Sequence, residues 1–190
     1  YFFNSSESKS QFINNSIIKA SDKFYIMPPV EIKSRYINFE SKFLKPIDRI
    51  INAYYLGSFG DHKKVDFLID MLSRKNSKIQ LNIFSSLIHE DIPKEYAKKL
   101  LNKQFKYYSR INDKEIIKYI KNMDFFISFS DHEGFCIPFF EAILLNKPPL
   151  VKKLNCFSDY LPKDYLYINE EMNEKDLIEL FHLNYKTIFS

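Results

Sequence analysis

The sequence predicts an α/β fold, an open parallel sheet with helices on both faces. Three observations carry this. Apolar, β-branched and aromatic runs alternate along the chain with segments of helical periodicity. Hydrophobic residues make up 45% and aromatic residues 17% of the 190 residues, enough for the core of one domain and part of a second. The chain holds three glycines, Gly57, Gly60 and Gly134. About 13 would be usual at a frequency of roughly 7%, and all three fall just after the end of an expected strand.

In chain order, strands are expected near Phe24–Met27, Asn52–Leu56, Gln80–Phe84, Phe105–Tyr108, Phe125–Phe129, Leu150–Lys152 and Leu166–Ile168. Helices are expected near Val65–Arg74, Lys94–Leu101, Lys114–Asn122, Pro138–Leu145 and Lys175–Phe181. Leu68, Met71 and Leu72 keep the 3.6-residue spacing, as do Ile116, Ile117 and Ile120. Asp113 is the expected N-cap of its helix, and Pro138 suits a first helical turn. Pro28-Pro29 stops the first strand, and Glu31–Pro46 reads as a polar connector. The chain therefore divides into residues 1–33, the tail of one unit with its linker, and residues 34–190, a nearly complete domain. Neither an internal repeat nor a low-complexity segment is visible.

The sequence opens Tyr1-Phe2-Phe3 without Met, so the native N-terminus is expected to lie upstream. Polar residues follow Phe2-Phe3 at once, which is not the pattern of a secretory signal. No apolar stretch approaches the roughly 20 residues that span a bilayer. The formal charge is +4, from 28 basic and 24 acidic side chains that are intermixed. That suits an anionic ligand or a weak lean onto acidic lipid, and it lacks the clustered basic residues of a nucleic-acid binder. Cys136 and Cys156 make neither a disulfide framework nor a zinc site, which fits a reducing cytoplasm.

The chemistry is expected at the strand ends. In open parallel sheets ligands bind there, beside the point where strand order reverses. Glycine at such places lets the backbone approach a ligand and adopt positive φ, although Gly60 reads equally well as a tight turn. In the segment Asp131–Ala142 a strand ends, a glycine turn follows, and a helix starts at about Pro138. Free N–H groups and the positive dipole end at that start favour a phosphate. Glu133 in the loop and Glu141 in the opening turns of the helix can face one crevice, where carboxylates accept paired hydroxyls of a sugar and a ribose. Glu141 also has a simpler reading, as dipole complement near a helix start.

Glu133-Gly134-Phe135-Cys136-Ile137-Pro138 followed by Glu141-Ala142 resembles the E-x7-E motif of the family 4 retaining glycosyltransferases, also called group 1. The resemblance implies a two-domain GT-B fold whose C-terminal, Rossmann-like domain binds the donor. The string His132–Cys136 is similar to bacterial enzymes of surface polysaccharide synthesis, several of them mannosyltransferases. Tyr55-Leu56-Gly57 followed by Lys63-Lys64-Val65-Asp66 resembles the strand, glycine turn and lysine that hold a donor's diphosphate. Leu81–Ser85 resembles the next strand, Tyr108–Asp113 the turn beside the base, and Met123–Ser130 the strand entering the motif. The resemblance covers about Ile51 to Asn169. Ser5–Ile13 and Phe24–Val30 resemble the end of the N-terminal domain, so residues 1–33 would belong to the acceptor domain and linker and residues 34–190 to the donor domain.

Carried over residue by residue, the resemblance implies that Glu133 and the backbone of Gly134, Phe135 and Cys136 hold the donor sugar. The N–H groups at Cys136 and Ile137 and the Lys63 ammonium would stabilise the leaving diphosphate as charge develops. Glu141 would accept the ribose hydroxyls, Ile111 would meet the base through its backbone, and Gly57 and Ser58 would border the phosphates. The family usually has Arg at position 58. Ser58 removes a bidentate guanidinium, for which Lys64 or His62 would compensate. Ser109 also replaces a glycine usual before the base-contacting turn. His132 either touches the sugar or is structural. His89, Glu90 and Asp91 read as an exposed polar turn rather than a metal cluster, and no D-x-D pair occurs. Tyr107-Tyr108 and Phe139-Phe140 read as core or strand positions.

The expected function is transfer of a hexose from a nucleoside diphosphate sugar, with retention, to a saccharide or lipid-linked acceptor bound across the cleft by the N-terminal domain. Neither a metal nor a cofactor is expected, and nucleic acid is not an expected partner. The expected location is the cytoplasm, with peripheral contact at the inner membrane face open for the full-length protein. Two alternatives stand beside this. One keeps the fold and changes the reaction, as in nucleotide-sugar epimerases and glycogen phosphorylases, the latter lacking support because no pyridoxal phosphate lysine context is seen. The other is a degenerate, non-catalytic domain kept for protein interaction, for which Ser58 speaks.

Overall fold

The computed structural model describes residues 2–3, 10, 13–14, 25–26, 49–73, 77–158 and 160–189. The expected connector Glu31–Pro46, the Pro28-Pro29 stop and the boundary at residue 33 lie outside the described residues. So do Phe24 and Met27 of the first expected strand and Arg74 of the first expected helix.

Two short strands, β1 (Phe2–Phe3) and β2 (Tyr25–Ile26), pair in parallel. The main sheet is built from β3 (Ile51–Leu56), β4 (Ile79–Ser85), β5 (Phe105–Ser109), β6 (Phe125–Ser128) and β7 (Pro149–Val151). All its pairings are parallel, in the order β5-β4-β3-β6-β7. Between and after the strands lie α1 (Val65–Leu72), α2 (Lys94–Leu100), α3 (Asp113–Ile120), α4 (Ile137–Leu144), α5 (Asn155–Ser158) and α6 (Glu174–Phe189).

Alternation of side chains along the strands divides the core in two. Ile51, Ala53 and Tyr55 of β3, Leu81 and Ile83 of β4 and Phe125 and Ile127 of β6 face one layer. There they pack with Leu68 and Leu72 of α1, Leu100 of α2 and Leu177 and Phe181 of α6. Tyr54, Phe84, Phe126 and Val151 face the other layer and meet Ile120 of α3, Phe139 and Ala142 of α4 and Phe157 of α5. Helices thus cover both faces, as expected. Each fully buried Leu, Ile or Phe contributes about 1.5–3 kcal/mol of burial free energy.

Three expectations are corrected. Leu166–Ile168 is not a strand of the sheet. The Asn184 side chain, fully buried, bonds both the N–H and C=O of Leu166, leaving only Ile168 to bridge Lys152. The N-cap of α3 is Asn112 rather than Asp113. Its side-chain oxygen accepts from the Glu115 N–H, and its side-chain NH2 donates to the Glu115 carboxylate. Helix α6 continues well past Phe181, and a capping box starts it: the Asn173 side chain accepts from the Asp176 N–H and the Asp176 carboxylate from the Asn173 N–H. Among the described residues no helix is long and apolar enough to cross a membrane.

Candidate functional site

The chain runs outward from β3 through β4 to β5, then returns across β3 to add β6 and β7. The reversal lies between β3 and β6, and the crevice outside their carboxyl ends is where such sheets bind ligands. The loops leaving these two strands hold most of the residues singled out from sequence.

After β3, the Gly57 N–H continues the ladder to the Phe84 carbonyl at 3.0 Å. Beneath it the Tyr55 hydroxyl donates to the Ser58 carbonyl at 2.7 Å. A Cβ on Gly57 would lie 2.7 Å from that hydroxyl, so close approach dictates glycine here. None of the three glycines has positive φ, which corrects that part of their expected role. Among the described residues the left-handed ones are Lys64, Arg110, Cys136 and Asn146, with φ of 50, 52, 56 and 53°. Lys64, Arg110 and Cys136 follow β3, β5 and β6 and stand at the same edge of the sheet. Non-glycine residues held there cost about 1–3 kcal/mol each and gather at ligand sites.

A 3₁₀ turn, Asp61–Lys63, brings Lys63 round to the loop after β6. The Lys63 ammonium donates to both oxygens of Glu133 at 2.7 Å. Their side chains are 20% and 8% exposed, so the pair is largely shielded. The Asp131 N–H donates to the His62 carbonyl at 2.8 Å, and the Asp131 carboxylate lies 3.5 Å from the Lys64 ammonium. Lys152 reaches Asp131 at 2.6 Å and Glu170 at 2.8 Å. The hydrogen bond from Lys152 holds the Asp131 carboxyl below its usual range, and the same bond raises Lys152.

Helix α4 then begins at Ile137 with Pro138 in its first turn, as expected, and no side-chain cap bond from Cys136. Burial first, and then the Glu133 carboxylate, pushes the Cys136 thiol well above its ordinary range, so it stays protonated. Phe135 is buried and stacks on Phe140 with centroids 4.2 Å apart, which fixes the loop. Gly134 is exposed, and a Cβ there would meet nothing within 4 Å.

A cleft of about 380 Å³ opens beside this junction, lined by Gly57, Ser58, Tyr108, Arg110, Ile111 and Pro138 among others. Of the expected site residues, Gly57, Ser58 and Ile111 line it. Lys63, Lys64 and Glu133 make the ion pairs that tie the two loops together. His132 and Ile137 are exposed, and Glu141 is half-buried on α4. Arg110 lies within Tyr108–Asp113, the expected turn beside the base, but no role for its side chain follows from sequence, because its left-handed backbone is not visible in an arginine. Tyr107 and Tyr108 lie on β5 as expected, yet Tyr108 also lines the cleft and stacks on Phe84 with centroids 4.7 Å apart. Glu90 and Asp91 are exposed on a 3₁₀ turn, and among the described residues no three His, Cys, Asp or Glu gather to hold a metal ion.

Comparison with known proteins adds the following. No curated protein matches the sequence. Several solved structures share the fold. The lipopolysaccharide outer core galactosyltransferase WaaB in its apo form is 19% identical, with a TM-score of 0.65 over 98% of this chain and 56% of that one. HepE of Anabaena, in complex with UDP and glucose, is 15% identical, with a TM-score of 0.69 over 98% of this chain and 55% of that one. WaaG, a glycosyltransferase involved in lipopolysaccharide biosynthesis, is 18% identical, with a TM-score of 0.67 over 97% of this chain and 53% of that one. The chain thus spans a little over half the length of these three structures. The sequence model of the family "Glycosyl transferases group 1" matches residues 39–183, most of the chain, and the protein belongs to that family.

Proposed function

We propose that this domain binds a nucleoside diphosphate sugar in the crevice between the loops after β3 and β6 and serves retaining transfer of a hexose. The acceptor is a saccharide or lipid-linked saccharide of surface polysaccharide synthesis, presented by a facing domain. The observation that carries this reading is the direct pairing of Lys63 with Glu133 beside the start of α4. An ammonium, a carboxylate and a helix N-terminus in one place suit a phosphate and a sugar together, which supports the reading.

In this proposal the diphosphate lies against Gly57, Ser58 and the N–H groups at Cys136 and Ile137, with Lys63 and Lys64 balancing its charge. As the bond to the sugar breaks, negative charge grows on the outer phosphate, and Lys63 and the α4 start stabilise it. Glu133, with the backbone of Gly134, Phe135 and Cys136, orients the sugar, and His132 borders it. Glu141 accepts the ribose hydroxyls, and Ile111 meets the base through its backbone. Positioning and electrostatics suffice for this step, so neither a metal nor a cofactor is assigned. The location that goes with this reading is the cytoplasm, and any contact with the inner membrane face belongs to the full-length protein.

Uridine is the base to test first, because HepE carries UDP. Guanosine is its competitor, because the string His132–Cys136 resembles mannosyltransferases. Thermal unfolding with UDP, GDP, ADP and their sugar conjugates tests the proposal. Ligand at 100 times its dissociation constant adds about 2.7 kcal/mol, a rise of roughly 5–10 °C at this size. One nucleotide raises the midpoint and Glu141→Ala removes the rise. No rise with any nucleotide contradicts the reading and favours the second one, a non-catalytic interaction domain. Ser58, where the family usually has Arg, is the observation behind that second reading. Retention is checked by the anomeric proton coupling of the first-formed product.

A further inference from the structure

The cations around the strand-end crevice differ in whether an acid already holds them. Lys63 is bonded to Glu133, Lys64 faces Asp131, and Lys152 is shared between Asp131 and Glu170. Each of these ammonium groups therefore reaches an incoming phosphate with part of its charge already balanced. Ser58, on the cleft wall, contributes a hydroxyl and no charge.

Arg110 differs. It lines the same cleft as Gly57 and Ser58, it is exposed, and no described side chain pairs with its guanidinium. Its backbone is held at φ 52°, and its N–H donates to the Ser85 carbonyl at 3.2 Å, which pins the turn after β5 to β4. An arginine held in a conformation that favours glycine is kept at a cost, and strain of this kind gathers at ligand sites. Tyr108 near the end of β5 and Ile111 after it line the cleft too, so Arg110 sits between two cleft residues.

We propose that Arg110 supplies the guanidinium of the phosphate site, gripping a nucleoside diphosphate from the β5 side of the cleft, while Ser58 brings no charge of its own to the β3 side. The inference rests on the donor-site reading and adds a ligand-binding residue to it. Arginine suits the task because its planar fork meets two phosphate oxygens at once and stays charged at every relevant pH.

The test is titration with UDP and GDP, and with uridine and guanosine as phosphate-free probes, read by calorimetry and by NMR. Arg110→Gln weakens the favoured diphosphate roughly 10- to 100-fold, the range of a charged hydrogen bond. It leaves the matching nucleoside within about twofold. Arg110→Lys falls between the two. Arg110→Gly binds the diphosphate as poorly as Arg110→Gln yet melts no lower than wild type, because glycine relieves the left-handed strain. Equal losses for diphosphate and nucleoside overturn the proposal in favour of a base contact. Wild-type diphosphate binding that Arg110→Gln leaves unchanged removes Arg110 and keeps the donor site. A wild-type protein that binds no diphosphate overturns the donor site and this role together.

Discussion

The Lys63 ammonium lies 2.7 Å from both carboxylate oxygens of Glu133, joining two loops 70 residues apart in sequence. The parallel pairing of β3 with β6 makes this contact, because it sets their carboxyl ends side by side.

Removing one partner of a shielded pair strands the other. Lys63→Met leaves the Glu133 carboxylate unpaired and costs about 1–3 kcal/mol of stability. The double variant Lys63→Met with Glu133→Leu recovers most of that loss, since both polar groups are then gone. Urea unfolding of wild type, both single variants and the double variant checks this. Strictly additive losses would show that the pair adds nothing.

Gly57 is held by the rigid Tyr55 ring. Gly57→Ala places a methyl group 2.7 Å from the Tyr55 hydroxyl and should cost about 1–3 kcal/mol by overpacking. Adding Tyr55→Phe removes the clashing oxygen and restores part of the midpoint, at the expense of the bond to Ser58. An equally damaged double variant would place the clash elsewhere.

The cap of α3 separates two adjacent residues. Asn112→Ala loses the bond to the Glu115 N–H and costs about 1 kcal/mol, a fall of roughly 2–4 °C. Asp113→Ala costs less, and thermal unfolding decides between them.

Lys147 gives a pH signature. Burial lowers it from 10.5 to about 8, while its ammonium donates to the Met123 carbonyl at 2.6 Å. The unfolded chain therefore binds more protons than the folded one between these values, and the penalty of burying the ammonium fades as pH rises. Relative to Lys147→Met, wild type gains stability from about pH 8 towards 10.5, with little change between pH 6 and 7. Parallel curves for the two proteins would contradict the shift.

The sheet was largely legible from sequence, because β3, β4, β5 and β6 are apolar or aromatic runs whose buried alternation the pattern shows directly. The stretch Leu166–Ile168 looks the same, and only the position of Asn184 on α6 denies it to the sheet. Asn112 and Asp113 are both capping residue types, so composition could not separate them. The loops after β3 and β6 were legible through their glycines and carboxylates. Pairing of Lys63 with Glu133 was not, since it depends on strand order, and Arg110 was not, since the strain that marks it resides in its backbone. The sequence suggests both close approach and positive φ for the glycines; Gly57 shows close approach alone, and to the Tyr55 hydroxyl.

The central claim is that the loops after β3 and β6 form one site for a nucleoside diphosphate sugar. The direct measurement is a crystal structure of the protein with the nucleotide that raises its unfolding midpoint most. The expected structure has the diphosphate between Ser58 and the start of α4, within hydrogen-bond reach of Lys63, with the base beside Ile111. A nucleotide seated anywhere else, or a crevice in which Lys63 and Glu133 stay paired and exclude it, would contradict the account.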